Sequence, residues 1–246
     1  MRYGVFSDAH ANLDALRAVL ERLEKEKARG YIFCGDMIGY GPQPDECVEL
    51  IKKLPDLTAV TGNHDSALKD ASLLNFFSPD SLPPIRTANA ELSKENFEFV
   101  SALAQTYAGE NFCAVHGTFG DPVKEYWITK LQYQANYDLW KGKICFVGHT
   151  HIPFVMRSKD YKDVSVDLLA DDGAEIKFDG VSRYVINPGS VGQPRDGDNR
   201  ACAGIFDAEK NTFKIIRAEY DVERTQYIMA SKGFSRRIIE RLATGM

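Results

Sequence analysis

The chain has little of the material from which a disulfide framework, a membrane span or a nucleic-acid clamp is built. Its five cysteines, Cys34, Cys47, Cys113, Cys145 and Cys202, are odd in number, scattered and never spaced CxxC. That argues against a disulfide scaffold and against a thiolate zinc site, and leaves buried small hydrophobes as the reading for most of them. No run of about 20 uninterrupted apolar residues occurs, so no membrane-spanning helix is expected. The N-terminus, MRYGVFSDAH, passes straight into a strand pattern with no cleavable signal, and a cytoplasmic location is expected. A formal net charge of -5 argues against a broad surface tracking long nucleic acid. It does not exclude a small phosphorylated substrate in a locally positive site. Histidine is scarce as well, with five in 246 residues.

What is present is a pattern of short apolar runs alternating with helical ones. Residues 3–6 read as a strand, followed by Leu13, Leu16, Val19, Leu20 and Leu23 at helical spacing. The pattern recurs with strands at 31–34, 57–60, 111–115 and 143–147, and with helices at 45–53, 88–104 and 131–140. Such alternation implies βαβ units and a sheet with substantial parallel pairing. After Pro153 the pieces at 154–157, 164–169, 175–178, 184–186, 203–206 and 212–217 read as mostly antiparallel strands, with "DDG" at 171–173 as a hairpin turn. Two helices, at about 222–231 and 235–242, close the chain. A single domain over residues 1–246, with two sheets packed face to face and helices outside, fits this order; a division near residue 152 is the alternative.

The informative feature is what ends each strand. "YGVFSDAHAN" ends in Asp8, His10 and Asn12, and "YIFCGDMIGYG" in Asp36. "TAVTGNHD" ends in Asn63, His64 and Asp65, "FCAVHG" in His116, and "CFVGHTH" in His149 and His151. Ligands of open α/β sheets bind beyond the carboxyl ends of the strands, so five tips deliver polar side chains to one edge. All five histidines lie in these tips. Imidazole and carboxylate without thiolate favour a pair of borderline divalent ions, manganese, iron, zinc, cobalt or nickel, over calcium. On extended backbone, His149 and His151 would project to the same side and serve different ions. A two-metal site needs a bridging carboxylate, and Asp36 is the natural bridge. Taken singly, GNHD reads equally as a turn, Asp8 as a helix cap, and the glycines as turn residues; their joint occurrence at five strand tips favours the site.

These blocks, D-x-H at 8–10, G-D at 35–36 with Gly39 or Gly41 following, G-N-H-D at 62–65, H-G at 116–117 and G-H-T-H at 148–151, resemble the calcineurin-like metallophosphoesterases. "NPGSVGQPRDGDNRA", residues 187–201, is similar to the C-terminal signature of the family's small prokaryotic phosphodiesterase branch. The resemblance implies a four-layer α/β/β/α sandwich of two mixed β-sheets with a dinuclear centre, manganese being favoured. It implies Asp8, His10, Asp36 and His151 as ligands of one ion, and Asp36, Asn63, His116 and His149 as ligands of the other. It also implies His64 as a non-ligand facing the leaving group, where an imidazole protonates the departing oxygen or stabilises phosphoryl charge, with Asp65 orienting it. The expected reaction is hydrolysis of small phosphate diesters by in-line attack of a metal-bridging hydroxide.

Two other functions compete: a phosphomonoesterase, including a protein phosphatase, and a scaffold of the same fold that has lost its chemistry. A complete ligand set disfavours the scaffold. Substrate contacts are expected from Asn12 and from the 189–200 loop, in which Arg195 or Arg200 would hold phosphate oxygens and Asp196 would brace the arginine; ion pairs within that loop are the plainer alternative. Residues 72–89, with Phe76, Phe77, Leu82 and Ile85, read either as a cap over the site or as core and dimer contact. Tyr126 and Trp127 line a base pocket or simply pack. A homo-oligomer is compatible with the sequence; a membrane partner is not expected.

Overall fold

The apolar run at the N-terminus forms strand β1 (Arg2–Phe6) and the amphipathic stretch behind it forms helix α1 (Leu13–Lys25), in a computed structural model that describes residues 1–246. Two further strand–helix units follow, β2 (Gly30–Phe33) with α2 (Pro44–Lys52), and β3 (Leu57–Ala59) with the one-turn α3 (Asn63–Ser66). A 3₁₀ turn at Ala71–Phe76 leads into α4 (Leu82–Glu91) and α5 (Lys94–Ala102). The single helix expected at 88–104 is therefore two. Leu92 and Ser93 leave helical backbone, and the Ser93 hydroxyl accepts the Asn96 N–H at 3.3 Å to start the second helix. Next come β4 (Thr106–Ala108), an exposed edge strand too short to leave a periodic signal, then β5 (Cys113–Val115), α6 (Lys130–Asn136) and β6 (Ile144–Phe146). The second half runs β7 (Phe154–Ser158), β8 (Ser165–Leu168), β9 (Glu175–Lys177), β10 (Arg183–Asn187), β11 (Ala201–Asp207) and β12 (Thr212–Ala218), closed by α7 (Val222–Ser231) and α8 (Arg236–Thr244).

The strands form two mixed six-stranded sheets, in the orders β3-β2-β1-β11-β12-β9 and β4-β5-β6-β10-β7-β8. Within the first, β1, β2 and β3 are parallel, with Phe6 opposite Phe33. Within the second, β5, β6 and β10 are parallel, with Ile186 opposite Phe146. Period-two alternation divides the apolar side chains. Val5, Ile32, Phe146, Ile186 and Phe206 pack between the sheets. Phe6 and Phe33 face outward under Leu16 and Leu23 of α1 and Ile51 of α2, while Val115 and Val185 pack outward with Trp127, Tyr133 and Trp140. The result is the expected four-layer arrangement, and all five cysteines are buried in it.

"DDG" is a turn but closes no hairpin. β8 pairs with β7 in the second sheet and β9 with β12 in the first, so the turn carries the chain across the sandwich. No helix is long and apolar enough to cross a membrane.

Candidate metal centre

The parallel strands of both sheets end at one edge, and their tips interlock. Asp8 N–H donates to the Gly35 carbonyl at 2.9 Å, His10 N–H to Asp36 at 3.0 Å and Ala11 N–H to Met37 at 2.8 Å, so the loops after β1 and β2 run side by side. Asp8, His10, Asp36, His149 and His151 all have positive φ, between 46° and 70°. Left-handed backbone at a residue other than glycine costs about 1–2 kcal/mol, and a cluster of such residues marks a functional site. It also corrects the expectation of an extended His149 and His151: both lie beyond the end of β6, and left-handed turns aim them. No side chain is tolerated at Gly62, where a Cβ would run into the Asp36 carboxylate.

The loops bring two sets of donor atoms together. In the first, His10 Nε2 lies 3.1 Å from His151 Nε2 and 3.7 Å from Asp8 Oδ1, and His151 Nε2 lies 3.2 Å from Asp8 Oδ1. In the second, His116 Nε2 lies 3.1 Å from both Asn63 Oδ1 and His149 Nδ1. Asp36 Oδ2 belongs to both sets, 3.7 Å from His10 Nε2 and 3.4 Å from His116 Nε2. An ion with ligands at about 2.0–2.2 Å has neighbouring donors about 2.8–3.6 Å apart, close to the 3.1–3.7 Å found here.

Proton accounting favours cations in both places. His10 Nδ1 donates to the Ile38 carbonyl at 3.1 Å, His116 Nδ1 to Cys34 at 2.8 Å, His151 Nδ1 to Gln193 at 2.6 Å, and His149 Nε2 to Lys124 at 3.3 Å. Those bonds hold the outer N–H of each ring, and on His10, His149 and His151 burial leaves a lone pair on the inward nitrogen. The lone pairs of His10 and His151, 3.1 Å apart, repel unless a cation lies between them, and at the second set a cation would take the place of the inward proton that Asp36 favours on His116. The carboxylates are arranged alike: Asp36 Oδ1 accepts the His64 N–H at 2.9 Å and Asp8 Oδ2 the His149 N–H at 3.2 Å, so one oxygen of each remains for the centre. Asp8 Oδ1 is buried with no hydrogen-bond partner, an orphan acceptor that a cation would satisfy. The donor chemistry thus fits two borderline divalent ions sharing Asp36. Burial pushes His149 down to about 3 and His64 down to about 4, and lowers His10 and His151 as well. Burial opposes charge on Asp8 too, but the imidazoles of His151, His116 and His10 outweigh it and hold that carboxyl below the usual range. His116 is the exception among the imidazoles: burial opposes its charge, yet Asp36 prevails and raises it to about 9.

His64 sits beside the first set, with a ligand atom within 4.8 Å of those of His10 and Asp36. Aromatic neighbours hold its ring: Tyr40 and His10 at 4.7 Å and Phe77 edge-on at 4.6 Å. Asp65 does not orient it. The Asp65 oxygens accept the backbone N–H groups of Asp36, Met37, Ile38 and Gly62 at 2.8–3.2 Å, which shapes the β2 tip.

Asn12 is likewise structural rather than substrate-binding. Its carbonyl accepts the Ala15 N–H at 3.2 Å, capping α1, and its amide donates to the Gly192 carbonyl at 3.0 Å. Asp8, offered above as a possible cap, is not one.

The 187–195 loop returns to the site as expected: Arg195 N–H donates to the His151 carbonyl at 3.2 Å, and its guanidinium lies 5.8 Å from the Tyr40 ring. Arg200 does not return. It forks onto Asp198, at 2.6–3.1 Å, and shares a surface cleft with Asp172, Glu219 and Glu21 and Arg22 of α1. Asp196 braces buried Arg217 instead of Arg195. Trp127 is core, its indole N–H on the Gly117 carbonyl, whereas Tyr126 stacks on His149 with centroids 3.7 Å apart. The 72–89 segment also divides, Ile85 packing with Leu73 and Val123 while Phe77 meets His64. Not anticipated were Tyr40, the Gln193 carbonyl, and Asn187, whose amide holds the Gly148 carbonyl at 2.6 Å. Of these only Asn187, an amide at a strand tip, left a signal that could have been read.

Comparison with known proteins agrees with this geometry. A metallophosphoesterase from Sphaerobacter thermophilus superposes with a TM-score of 0.89 at 34% identity, covering 100% of this chain and 99% of that one. A hypothetical protein from Pyrococcus horikoshii shares the fold, with a TM-score of 0.79 at 19% identity over 100% and 98% of the chains. An uncharacterized Methanocaldococcus jannaschii protein is 36% identical over 98% of this chain and 97% of its own. The sequence model described as the calcineurin-like phosphoesterase superfamily domain matches residues 1–211, which hold every donor of both sets. Two donor sets joined at one aspartate, on a sandwich shared end to end with a metallophosphoesterase, place this chain in the calcineurin-like phosphoesterase superfamily.

Proposed function

We propose that the protein is a dinuclear metal-dependent phosphodiesterase acting on small phosphate diesters. The observation that carries this reading is the sharing of Asp36 Oδ2 between His10 Nε2 and His116 Nε2, at 3.7 and 3.4 Å. Bound there, two divalent cations would supply the deprotonated water and the charge clamp that phosphoester hydrolysis needs. The chain's own groups do the rest. Carbonyls hold the outer N–H groups of His10, His116, His149 and His151; burial keeps the inward nitrogens of His10, His149 and His151 unprotonated, and His116 would give up to a cation the inward proton that Asp36 favours on it. His64, neutral near pH 7, donates an N–H toward a phosphoryl or leaving oxygen. Arg195 offers a planar fork for a non-bridging oxygen, and its Nη2 is steadied by Gln193 Oε1 at 3.1 Å. Lys124 also borders the centre but pairs with Asp121 at 3.4 Å, so the charge offered suits the single negative charge of a diester better than the double charge of a monoester.

The test is a paired assay of bis(4-nitrophenyl) phosphate and 4-nitrophenyl phosphate, on chelated protein and after adding back Mn²⁺, Zn²⁺ or Ni²⁺. Metal-dependent turnover with kcat/KM at least about tenfold higher on the diester supports the proposal; a reversed ratio assigns a monoesterase, and no turnover with two ions bound assigns a scaffold.

A further inference from the structure

The geometry points to a cleft beside the metal centre that selects phosphoesters carrying one flat aromatic ring, nucleobase-sized or smaller. This inference rests on the phosphoesterase reading above and names its substrate class. The cleft has a volume of about 190 Å³, and Asn63 and His149 of the second donor set border it. Its remaining walls are mainly apolar: Leu73, Phe76, Phe77, Val123 and Tyr126. A phosphoester whose phosphoryl oxygens were held at the donor sets would have this space beside it for an ester arm.

The walls are arranged as ring surfaces. Tyr126 stacks on His149 with an interplanar angle of 13°, and Phe77 stands edge-on to His64 at 81°. Tyr126 and Phe77 are thereby anchored to the centre, and of the cleft's other walls Phe76 is 70% exposed, while Tyr126 itself remains 38% exposed. Phe76 belongs to none of the apolar clusters and stands on the cleft wall. Lys124 reinforces the arrangement: its carbonyl accepts from His149 Nε2 while its ammonium lies 5.0 Å from the Phe76 ring centroid. Size limits the occupant, because about 150 Å³ suffices for benzene inside a protein. The cleft has room for one ring system against its walls. Stacking recognises any π-face, so the class is set by flatness rather than by a particular hydrogen-bonding edge.

Calorimetric titration of the manganese-loaded protein with phenylphosphonate and with methylphosphonate tests this without turnover, since the two share a head group and differ in the ring. Phenylphosphonate is expected to bind about tenfold or more tightly. In Phe76→Ala the preference should fall to within about threefold, and Phe76→Leu, which keeps apolar bulk without a ring, should fall with it. Equal affinities in the wild type, or a preference undiminished in Phe76→Leu, would overturn the proposal. Hydrolysis of bis(4-nitrophenyl) phosphate in parallel separates the two claims: turnover without ring preference removes the cleft alone, and ring preference without turnover removes the catalytic reading.

Discussion

Replacing Asn12 by alanine separates a structural residue from a substrate contact. Asn12 is 1% exposed at the junction of β1 and α1. Its carbonyl satisfies the Ala15 N–H, and its amide satisfies the carbonyl of Gly192, whose own N–H binds the Asp8 carbonyl at 2.9 Å. Loss of an asparagine cap costs about 0.5–2 kcal/mol. Orphaning the buried Gly192 carbonyl costs about 1–3 kcal/mol more. The sum is about 1.5–5 kcal/mol, which for a chain of this size lowers Tm by roughly 3–20 °C. The measurement is thermal unfolding in excess chelator, so that metal affinity does not enter, alongside KM of the metal-loaded variant. Asn12→Ser, which keeps a capping oxygen but loses the donor to Gly192, should lie between wild type and alanine. A melting temperature unchanged in Asn12→Ala together with a raised KM would refute the reasoning and restore a role in substrate binding.

Asp36→Asn should reduce bound metal below one ion per chain by elemental analysis and abolish turnover with the fold intact; two retained ions would remove Asp36 as the bridge. His64→Ala should keep both ions and lower turnover by about 100- to 1,000-fold, the loss of one charge-stabilising donor. A neutral donor predicts the same loss for good and poor leaving groups, whereas a loss that shrinks with good leaving groups would make His64 an acid. Arg195→Lys should raise KM or lower kcat by about tenfold, and Arg200→Lys should change neither; the opposite pattern would reverse their assignment. The metal-free protein should lose stability as pH falls from about 6.5 toward 4, because His64 and His149 stay neutral when folded but take protons when unfolded. Two such protons give a slope of up to about 2.7 kcal/mol per pH unit, about half of which Asp65 offsets, since burial and the neighbouring Asp36 raise its carboxyl to about 7 and it takes its proton first in the folded state. His116, raised to about 9, keeps its contribution throughout that window and loses it only at alkaline pH. Chelated protein whose denaturant midpoint is flat from pH 6.5 to 4.5 would contradict these shifts.

The donors were legible because their chemistry is concentrated: every histidine stands at a strand tip, and few structural tasks require that. The residues that aim them were not, because backbone carbonyls of Ile38, Cys34, Gln193 and Lys124 do the aiming, and a carbonyl leaves no mark in the sequence. The same backbone explains two misassigned polar residues. Asn12 and Asp65 sit among the donors in the chain, but loops that turn this sharply leave amides and carbonyls unpaired, and these side chains satisfy them. Arg195 and Arg200 looked equivalent at five residues' separation; the turn between them sends one toward Tyr40 and the other to a surface cleft beside α1. In the fold, alternation located most strands, but not which sheet each would join, so "DDG" looked like a hairpin while it spans the sandwich.

The two donor sets draw on both sheets: Asp8, His10, Asp36 and Asn63 follow strands of the first, and His116, His149 and His151 follow strands of the second. Elsewhere the sheets adhere through interdigitated apolar side chains, which tolerate small sliding; at this edge they would be riveted. Ligation free energy then becomes resistance to prying the sandwich apart, growing by RT ln(1 + [M]/Kd) with free metal. Stripping the ions would turn that edge from a seam into a hinge line, and hydrogen exchange should quicken first at the tips of β5 and β6, well before the apolar layer between Val5 and Phe146 opens.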